Sequence, residues 1–233
     1  MTRKQLIMDE EVPIVRNEVS GTANEERIVP ISHRILLALL VPAWLVSYFF
    51  DRRISDALRD VAEYVIHDST FWHLAKQGGE FWPAAVAIVL LALLHPWKWR
   101  ASGVIFVSIV LGALVVHVLK WTIGRRRPVT EIDPFDFEFF AGGLLGFFQG
   151  GDLSFVSGHA QLAFTLAAGL SFFLPRTTLF WFFLAFLTAS QRVAERAHYL
   201  SEALLGAIVG ILSWHAAHLL CRFTNHSKPQ NVR

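Results

Sequence analysis

Six long apolar runs dominate the sequence and limit the folds that it can adopt. They lie at about residues 33–50, 81–97, 101–119, 158–174, 178–191 and 203–220. A helix needs roughly 20 mainly apolar residues to cross a bilayer. Hydrophobic residues make up 54% of the chain, which is typical of membrane proteins. The runs therefore predict an all-α, polytopic membrane bundle of about six transmembrane helices.

The segments around the runs divide the chain further. The first thirty residues carry scattered charges and lack the apolar stretch and cleavage site of a secretory signal. We therefore predict an N-terminal tail over residues 1–30, a six-helix membrane domain over residues 31–222 and a C-terminal tail over residues 223–233. The fifth run is short for a span, and a buried core helix is its alternative interpretation.

Orientation follows from the basic residues between the runs. If both termini are cytoplasmic, Lys and Arg divide almost evenly between the two sides. Six of the outward residues lie in or beside the polar clusters described below, namely Lys120, Arg125, Arg126, Arg127, Arg192 and Arg196. If these six are set aside as ligands for an anion, the remaining basic residues are concentrated on the side of the termini. The positive-inside rule then predicts cytoplasmic termini and polar clusters on the periplasmic or extracellular side of a bacterial inner membrane.

The segment between the first two runs has apolar residues at helical spacing with charges between them. It is predicted to be an amphipathic helix, either on the outer membrane surface or packed against the bundle. The apolar positions are Ile54, Leu58, Val61, Ala62, Val65 and Ile66.

The first polar cluster follows the third run and pairs Lys120 with Arg127. Seven residues are almost two helical turns, so the two cations share one helix face, and Pro128 then ends the helix. The Arg fork and the Lys point charge suit two oxygens of one phosphate. A basic cluster that contacts lipid headgroups is the alternative.

The second polar cluster is Ser157-Gly158-His159, at the start of the fourth run. A helix that begins here directs free backbone amides and its positive dipole end toward an anion. Gly158 permits close approach of a ligand, and His159 can donate a proton near neutral pH. Ser157 is equally suited to be an ordinary N-cap, and an isolated histidine is more often structural.

The third polar cluster places Arg192 at the end of the fifth run and His198 and Glu202 at the start of the sixth. Residues four apart lie on adjacent turns of one helix face, so Glu202 can accept a hydrogen bond from one ring nitrogen and leave the other free as a nucleophile. An ordinary surface pair and a zinc site are the alternatives. Three nearby cations disfavour a metal and suit a phosphate, so no metal is predicted.

These clusters resemble, in order and spacing, the three-part signature of the type 2 phosphatidic acid phosphatase (PAP2) superfamily, which also contains vanadium haloperoxidases and bacterial acid phosphatases. The matching segments are Lys120-x6-Arg127-Pro128, Ser157-Gly158-His159 and Arg192-x5-His198-x3-Glu202. The resemblance covers roughly residues 80–220. Val156, Gln191 and Glu202 stand where the family usually has Pro, Ser and Asp, and every reacting group is retained.

The resemblance implies a role for each matched residue. His198 attacks phosphorus, Glu202 orients it, and His159 protonates the leaving oxygen and then activates water. The transferred phosphoryl group is held by Lys120, Arg127, Arg192 and the backbone of Ser157 and Gly158.

The resemblance also implies the class of substrate. Membrane members of the family act on lipid phosphates or pyrophosphates, such as phosphatidic acid, phosphatidylglycerol phosphate, polyprenyl diphosphate or lipid A. No cofactor and no nucleic-acid partner are expected. A non-catalytic relative that binds or moves a phospholipid is the main alternative. A haloperoxidase is the second alternative, but the haloperoxidases of the family resemble soluble proteins, whereas this chain is mostly membrane span.

Overall fold

A computed structural model describes residues 30–62, 69–94, 98–143 and 153–226 of the chain. Within these ranges the protein folds into nine α-helices, joined by loops and two short 3₁₀ turns. The helices are α1 (Ile31–Tyr48), α2 (Asp51–Ala57), α3 (Arg59–Val61), α4 (Thr70–Gln77), α5 (Phe81–Leu94), α6 (Lys98–Ile123), α7 (Gly158–Phe173), α8 (Thr178–Ala194) and α9 (Leu200–His226). The predicted all-α membrane bundle is thus confirmed.

Each predicted apolar run coincides with one long helix, but not every helix has the length of a span. Ile31–Tyr48, Trp99–Ile123 and Leu200–Cys221 are long and apolar enough to cross a membrane, and α4 with α5 forms a fourth candidate bent by 56°. Helices α7 and α8 have 16 and 17 residues. At 1.5 Å per residue they extend about 25 Å, less than the hydrocarbon core of about 30 Å. The count of six spans therefore stays a prediction.

Helix α7 is the centre of the bundle. It packs against α6, α8 and α9, and α1 packs against α9 and reaches α7 through the contact of His33 with Ser171. The core between these helices includes the fully buried side chains of Ile105, Phe164, Ile211 and Trp214. The outer faces of α1, α5 and α8 expose many Leu, Val and Phe side chains, as expected for surfaces that contact lipid.

Two glycines let α9 approach α7 closely. A Cβ atom on Gly206 would lie 2.6 Å from the carbonyl oxygen of Ser157, and one on Gly210 would lie 2.4 Å from that of Gln161. The Gly-x3-Gly spacing is typical of tightly packed membrane helices. As a result, the start of α9 reaches the start of α7, where the Ser157 amide donates to the carbonyl oxygen of Glu202 at 3.1 Å.

The segment between the first two runs packs on the bundle where the structure describes it. Ile54 and Leu58 lie against the core, and Asp51 and Ser55 are buried. Of the two predicted positions, on the membrane surface or packed against the bundle, the second therefore holds for this part of the segment. Val65 and Ile66 lie outside the described residues, as do residues 1–29 and 227–233 of the predicted tails.

Gly210→Ala should destabilise the bundle, because the added methyl group meets backbone atoms of α7 that cannot rotate away. We expect a loss of about 1–3 kcal/mol in the free energy of unfolding, typical of overpacking. The matched control is Gly103→Ala, where nothing lies within 4 Å of the new Cβ. Equilibrium unfolding in detergent measures both, and equal stability of the two variants would contradict the close approach.

Candidate active site

The three polar clusters meet at one end of the bundle, around the imidazole of His198. His198 lies between α8 and α9 and is buried. Burial lowers its pKa well below the usual value, and the positive charges of Lys120, Arg192 and Arg127 lower it further. The imidazole is therefore neutral at pH 7, which is the form that a nucleophile requires.

The loop before α7 fixes the tautomer of His198. Its Nδ1 lies 3.0 Å from the carbonyl oxygen of Ser154. A carbonyl only accepts hydrogen bonds, so Nδ1 carries the proton and Nε2 keeps a free electron pair. Glu202 lies on the same side of the ring, with Oε2 3.4 Å from Nδ1. The predicted His198 and Glu202 pair is therefore present, but the shorter contact comes from Ser154.

The carboxylate of Glu202 is held by three donors and is only 1% exposed. Its Oε1 accepts from Ser154 Oγ at 2.8 Å and from Arg125 Nη1 at 3.3 Å. Its Oε2 accepts from the amide of Tyr199 at 3.1 Å. Glu202 is thus fixed before any substrate binds, with its carboxyl group next to the ring of His198.

Arg125 and Asp51 extend this network. The sequence analysis counted Arg125 among the basic residues at the site, but its buried ion pair with Asp51 was not predicted. The guanidinium of Arg125 is fully buried and donates to Asp51 Oδ2 at 2.9 Å and to the carbonyl oxygen of Pro134 at 2.7 Å. It also lies 4.0 Å from the centre of the Tyr199 ring. Burial raises the pKa of Asp51, whereas hydrogen bonds from Ser201 and the charge of Arg125 lower it.

The predicted phosphate ligands have unused hydrogen-bond donors. Lys120 and Arg127 do not share one helix face as predicted, because α6 ends at Ile123, before Pro128, and Arg127 lies in extended backbone. Lys120 Nζ makes a long contact of 3.4 Å to the carbonyl oxygen of Leu153. Arg192 donates to the carboxylate of Glu195 through Nη1. The Nε atoms of Arg127 and Arg192 are buried and have no hydrogen-bond partner within the described ranges. Buried donors of this kind are normally satisfied, so both guanidinium groups are suited to receive an anion.

A polar cavity of about 600 Å³ opens beside these cations. Its basic wall residues are Arg59, Lys76, Arg127, Arg192 and Arg196, and its acidic ones are Glu131 and Glu195. Lys76 was not singled out in the sequence, because α4 contacts the site only in the folded protein. In the part of the chain that the structure describes, no three His, Cys, Asp or Glu side chains are grouped as metal ligands. The excess of positive charge favours an anionic head group.

The second polar cluster combines a structural and a chemical element. Ser157 caps α7, with its Oγ accepting from the amide of Ala160 at 3.3 Å, and its own amide is engaged by Glu202 as described above. A role for that amide in phosphate binding would require it to change partner. His159 Nε2 lies 3.1 Å from Glu80 Oε1. Because a carboxylate accepts, Nε2 carries the proton and His159 is the donor in this contact. His159 and His198 are not among the wall residues of the polar cavity.

Comparisons with known proteins identify similar sequences and similar folds. A sequence model of the PAP2 superfamily matches residues 101–225. Lipid A 4'-phosphatase of Rhizobium leguminosarum is 28% identical over 200 residues, covering 75% of this chain and 79% of that protein.

Two solved structures are similar in fold. The chain aligns with LpxE of Aquifex aeolicus with a TM-score of 0.52 and 19% identity, covering 69% of this chain and 93% of that one. It aligns with the transmembrane PAP2 type phosphatidylglycerolphosphate phosphatase of Bacillus subtilis with a TM-score of 0.52 and 21% identity, covering 87% and 98%.

Arg125→Met should strongly destabilise the protein, because it leaves Asp51 and Glu202 buried without their counter-charge. Loss of one partner of a buried ion pair costs about 3–5 kcal/mol. The matched control is Arg126→Met, since Arg126 pairs with Glu138 at a more exposed position. There we expect a change of at most about 1 kcal/mol. Equilibrium unfolding in detergent measures both variants, and similar losses would contradict the network.

Proposed function

The chain belongs to the PAP2 superfamily, and on that premise we propose that it is an integral-membrane phosphatase that hydrolyses a lipid phosphate or pyrophosphate through a phosphohistidine intermediate. The observation that carries this proposal is the environment of His198. Its ring is neutral, its Nδ1 is held by Ser154, and the positive charges of Lys120, Arg127 and Arg192 all act on it. This combines a nucleophile with a site for the charge of a phosphoryl group.

In the first step, Nε2 of His198 attacks phosphorus as the bond from phosphorus to the leaving oxygen breaks. The leaving oxygen takes a proton from Nε2 of the imidazolium form of His159, which becomes neutral. In the free enzyme this N–H donates a hydrogen bond to Glu80. Negative charge builds on the three equatorial oxygens in the transition state. Lys120, Arg127 and Arg192 stabilise it without reorganisation, because they are already in place.

In the second step, His159 acts as a base. It takes a proton from a water molecule, whose oxygen attacks phosphorus, and the bond from phosphorus to Nε2 of His198 breaks with its electron pair returning to the ring. Inorganic phosphate is the product. Throughout, Glu202 balances the positive charge of the phosphorylated imidazole, at 3.4 Å from Nδ1. The reaction is balanced without a metal ion.

The substrate class is proposed from the position of the site and from the relatives. The site lies at one end of a membrane bundle, where a phosphate in a lipid headgroup can reach it. The relatives are named for lipid A 4'-phosphate and for phosphatidylglycerol phosphate. We therefore place lipid A and phosphatidylglycerol phosphate first among the candidates, with phosphatidic acid and polyprenyl diphosphate next.

The test is phosphate release from these four lipids by the purified protein in detergent. We expect release from at least one lipid, its persistence in EDTA, and its block by vanadate, which imitates five-coordinate phosphorus. His198→Ala is the matched inactive variant. Binding of a lipid phosphate without release would favour the non-catalytic alternative. Activity that is lost in EDTA and restored by zinc or magnesium would contradict the metal-independent mechanism.

Glu202→Asp and Glu202→Gln separate the charge of this carboxylate from its shape. Glu202→Asp should keep substantial activity, whereas Glu202→Gln should lower kcat by about 10²-fold or more, because a preorganised charge beside the reacting ring is lost. Unfolding in detergent must be followed in parallel, since Glu202 also binds Arg125. If Glu202→Gln turns over like wild type while His198→Ala is inactive, Glu202 does not support the nucleophile.

Labelling of single cysteines tests the proposed orientation, with the active site outside and both termini in the cytoplasm. In a Cys221→Ser background, Asp136→Cys and Ala194→Cys should react with an impermeant reagent added outside intact cells. Arg100→Cys, at the other end of α6, should not. Helix α6 has 26 residues and extends about 39 Å, enough to separate the two sides. Outside labelling of Arg100→Cys with protection of Asp136→Cys would reverse the orientation.

A further inference from the structure

An apolar cavity of about 380 Å³ lies between α8 and α9. It exists because both helices pack closely on α7 but contact each other much less. Its walls include the small residues Ala203 and Ala207 of α9 and the larger Phe186 of α8. Phe164 of α7 also lines it. Ser190, which is exposed, lies at its edge. A volume of this size is within the range of ligand sites, about 300–1,000 Å³.

The apolar cavity borders the polar cavity that Arg127 and Arg192 line. Leu58 lines the apolar cavity and its neighbour Arg59 lines the polar one. On α8, Val193 and Ala194 line the apolar cavity, while Arg192 and Glu195 on either side of them line the polar cavity. The same backbone segments therefore wall both, with charged side chains toward one and apolar side chains toward the other.

The two cavities together have the dimensions and polarity of an amphipathic ligand. Along α8 the apolar cavity extends from Ala194 to Phe186, a rise of about 12 Å, and along α9 from Leu200 to Ala207, about 10 Å. It thus leads away from the cations, down the helix axes toward the middle of the bundle. A phosphate held by Arg127 and Arg192 would have a hydrocarbon substituent directed into this space.

We propose that the cavity between α8 and α9 binds one acyl chain of the substrate lipid, an inference that rests on the proposed function. An acyl chain that leaves the bilayer for this cavity gains little from the hydrophobic effect, because both surroundings are apolar. Binding in the cavity instead orients the substrate. A chain held between the helices fixes the headgroup relative to His198, which lowers the entropic cost of reaching the transition state.

Ser190→Phe tests the proposal by filling the cavity from its exposed edge. We expect kcat/KM for dioleoyl phosphatidic acid to fall by about tenfold, the size of effect that a shape change in an apolar pocket produces. Hydrolysis of p-nitrophenyl phosphate, which has no acyl chain, should be unchanged. The matched control is Gly103→Phe, which adds the same ring to an open surface of α6. An equal loss for both substrates, or no loss for either, overturns the proposal.

A second measurement is independent of turnover. His198→Ala protein is incubated with a phosphatidic acid that carries a diazirine within one acyl chain, then irradiated and digested. The label is expected on the residues of α8 and α9 that line the cavity. It should be absent from the double variant that carries both His198→Ala and Ser190→Phe. Labelling that Ser190→Phe does not change overturns the acyl site alone. Failure of wild-type protein to release phosphate from any of the four lipids above contradicts the proposed function instead.

Discussion

The positive charge of Arg125 must be neutralised inside the protein, and the geometry of the site depends on how this is done. Removing a guanidinium from water costs several kcal/mol, which is repaid only when its donors are well paired. Asp51 from α2, Glu202 from α9 and the Pro134 carbonyl together meet this requirement. Because these partners come from three separate segments, neutralising Arg125 also fixes α2 and the 124–137 loop against the start of α9. The position of Glu202, and through it that of His198, follows from this arrangement.

Helix packing provides the second constraint. Gly206 and Gly210 permit α9 to lie against α7 at backbone distance, and the same approach lets the Ser157 amide reach the carbonyl of Glu202. The N-cap of α7 and the carboxylate beside the nucleophile are therefore held by one helix crossing. Packing deep in the bundle thus determines the spacing between His159 and His198, although neither histidine takes part in the crossing.

The extent to which the sequence predicts this protein differs between its parts. Apolar runs predict the six long helices, because a run of that length has few other structures open to it. Candidate reacting groups were predicted as well, since each falls at the end of a run and their spacings match a known signature. The structure brings them together, and their chemical roles stay predictions. Arg127 was singled out by the signature, but Arg125 was not distinguished from Arg126, because adjacent arginines carry no information on which one is buried. Asp51, Glu80 and Lys76 were not predicted as part of the site for a related reason, since they reach it only through tertiary contacts.

The three departures from the family signature each have a local structural counterpart. Val156 has φ of 61°, a value that a proline ring, fixed near −65°, cannot adopt, so the loop before α7 follows a path closed to the usual residue. A β-branched residue in this region is strained by about 1–3 kcal/mol, and its fully buried side chain helps to offset that cost.

Gln191 donates to Glu195, which in turn holds Arg192, so the amide acts on the phosphate ligand through a carboxylate. The longer side chain of Glu202 extends to Ser154, Tyr199 and Arg125 at once. The departures thus alter how the reacting groups are held, while the groups themselves are the same.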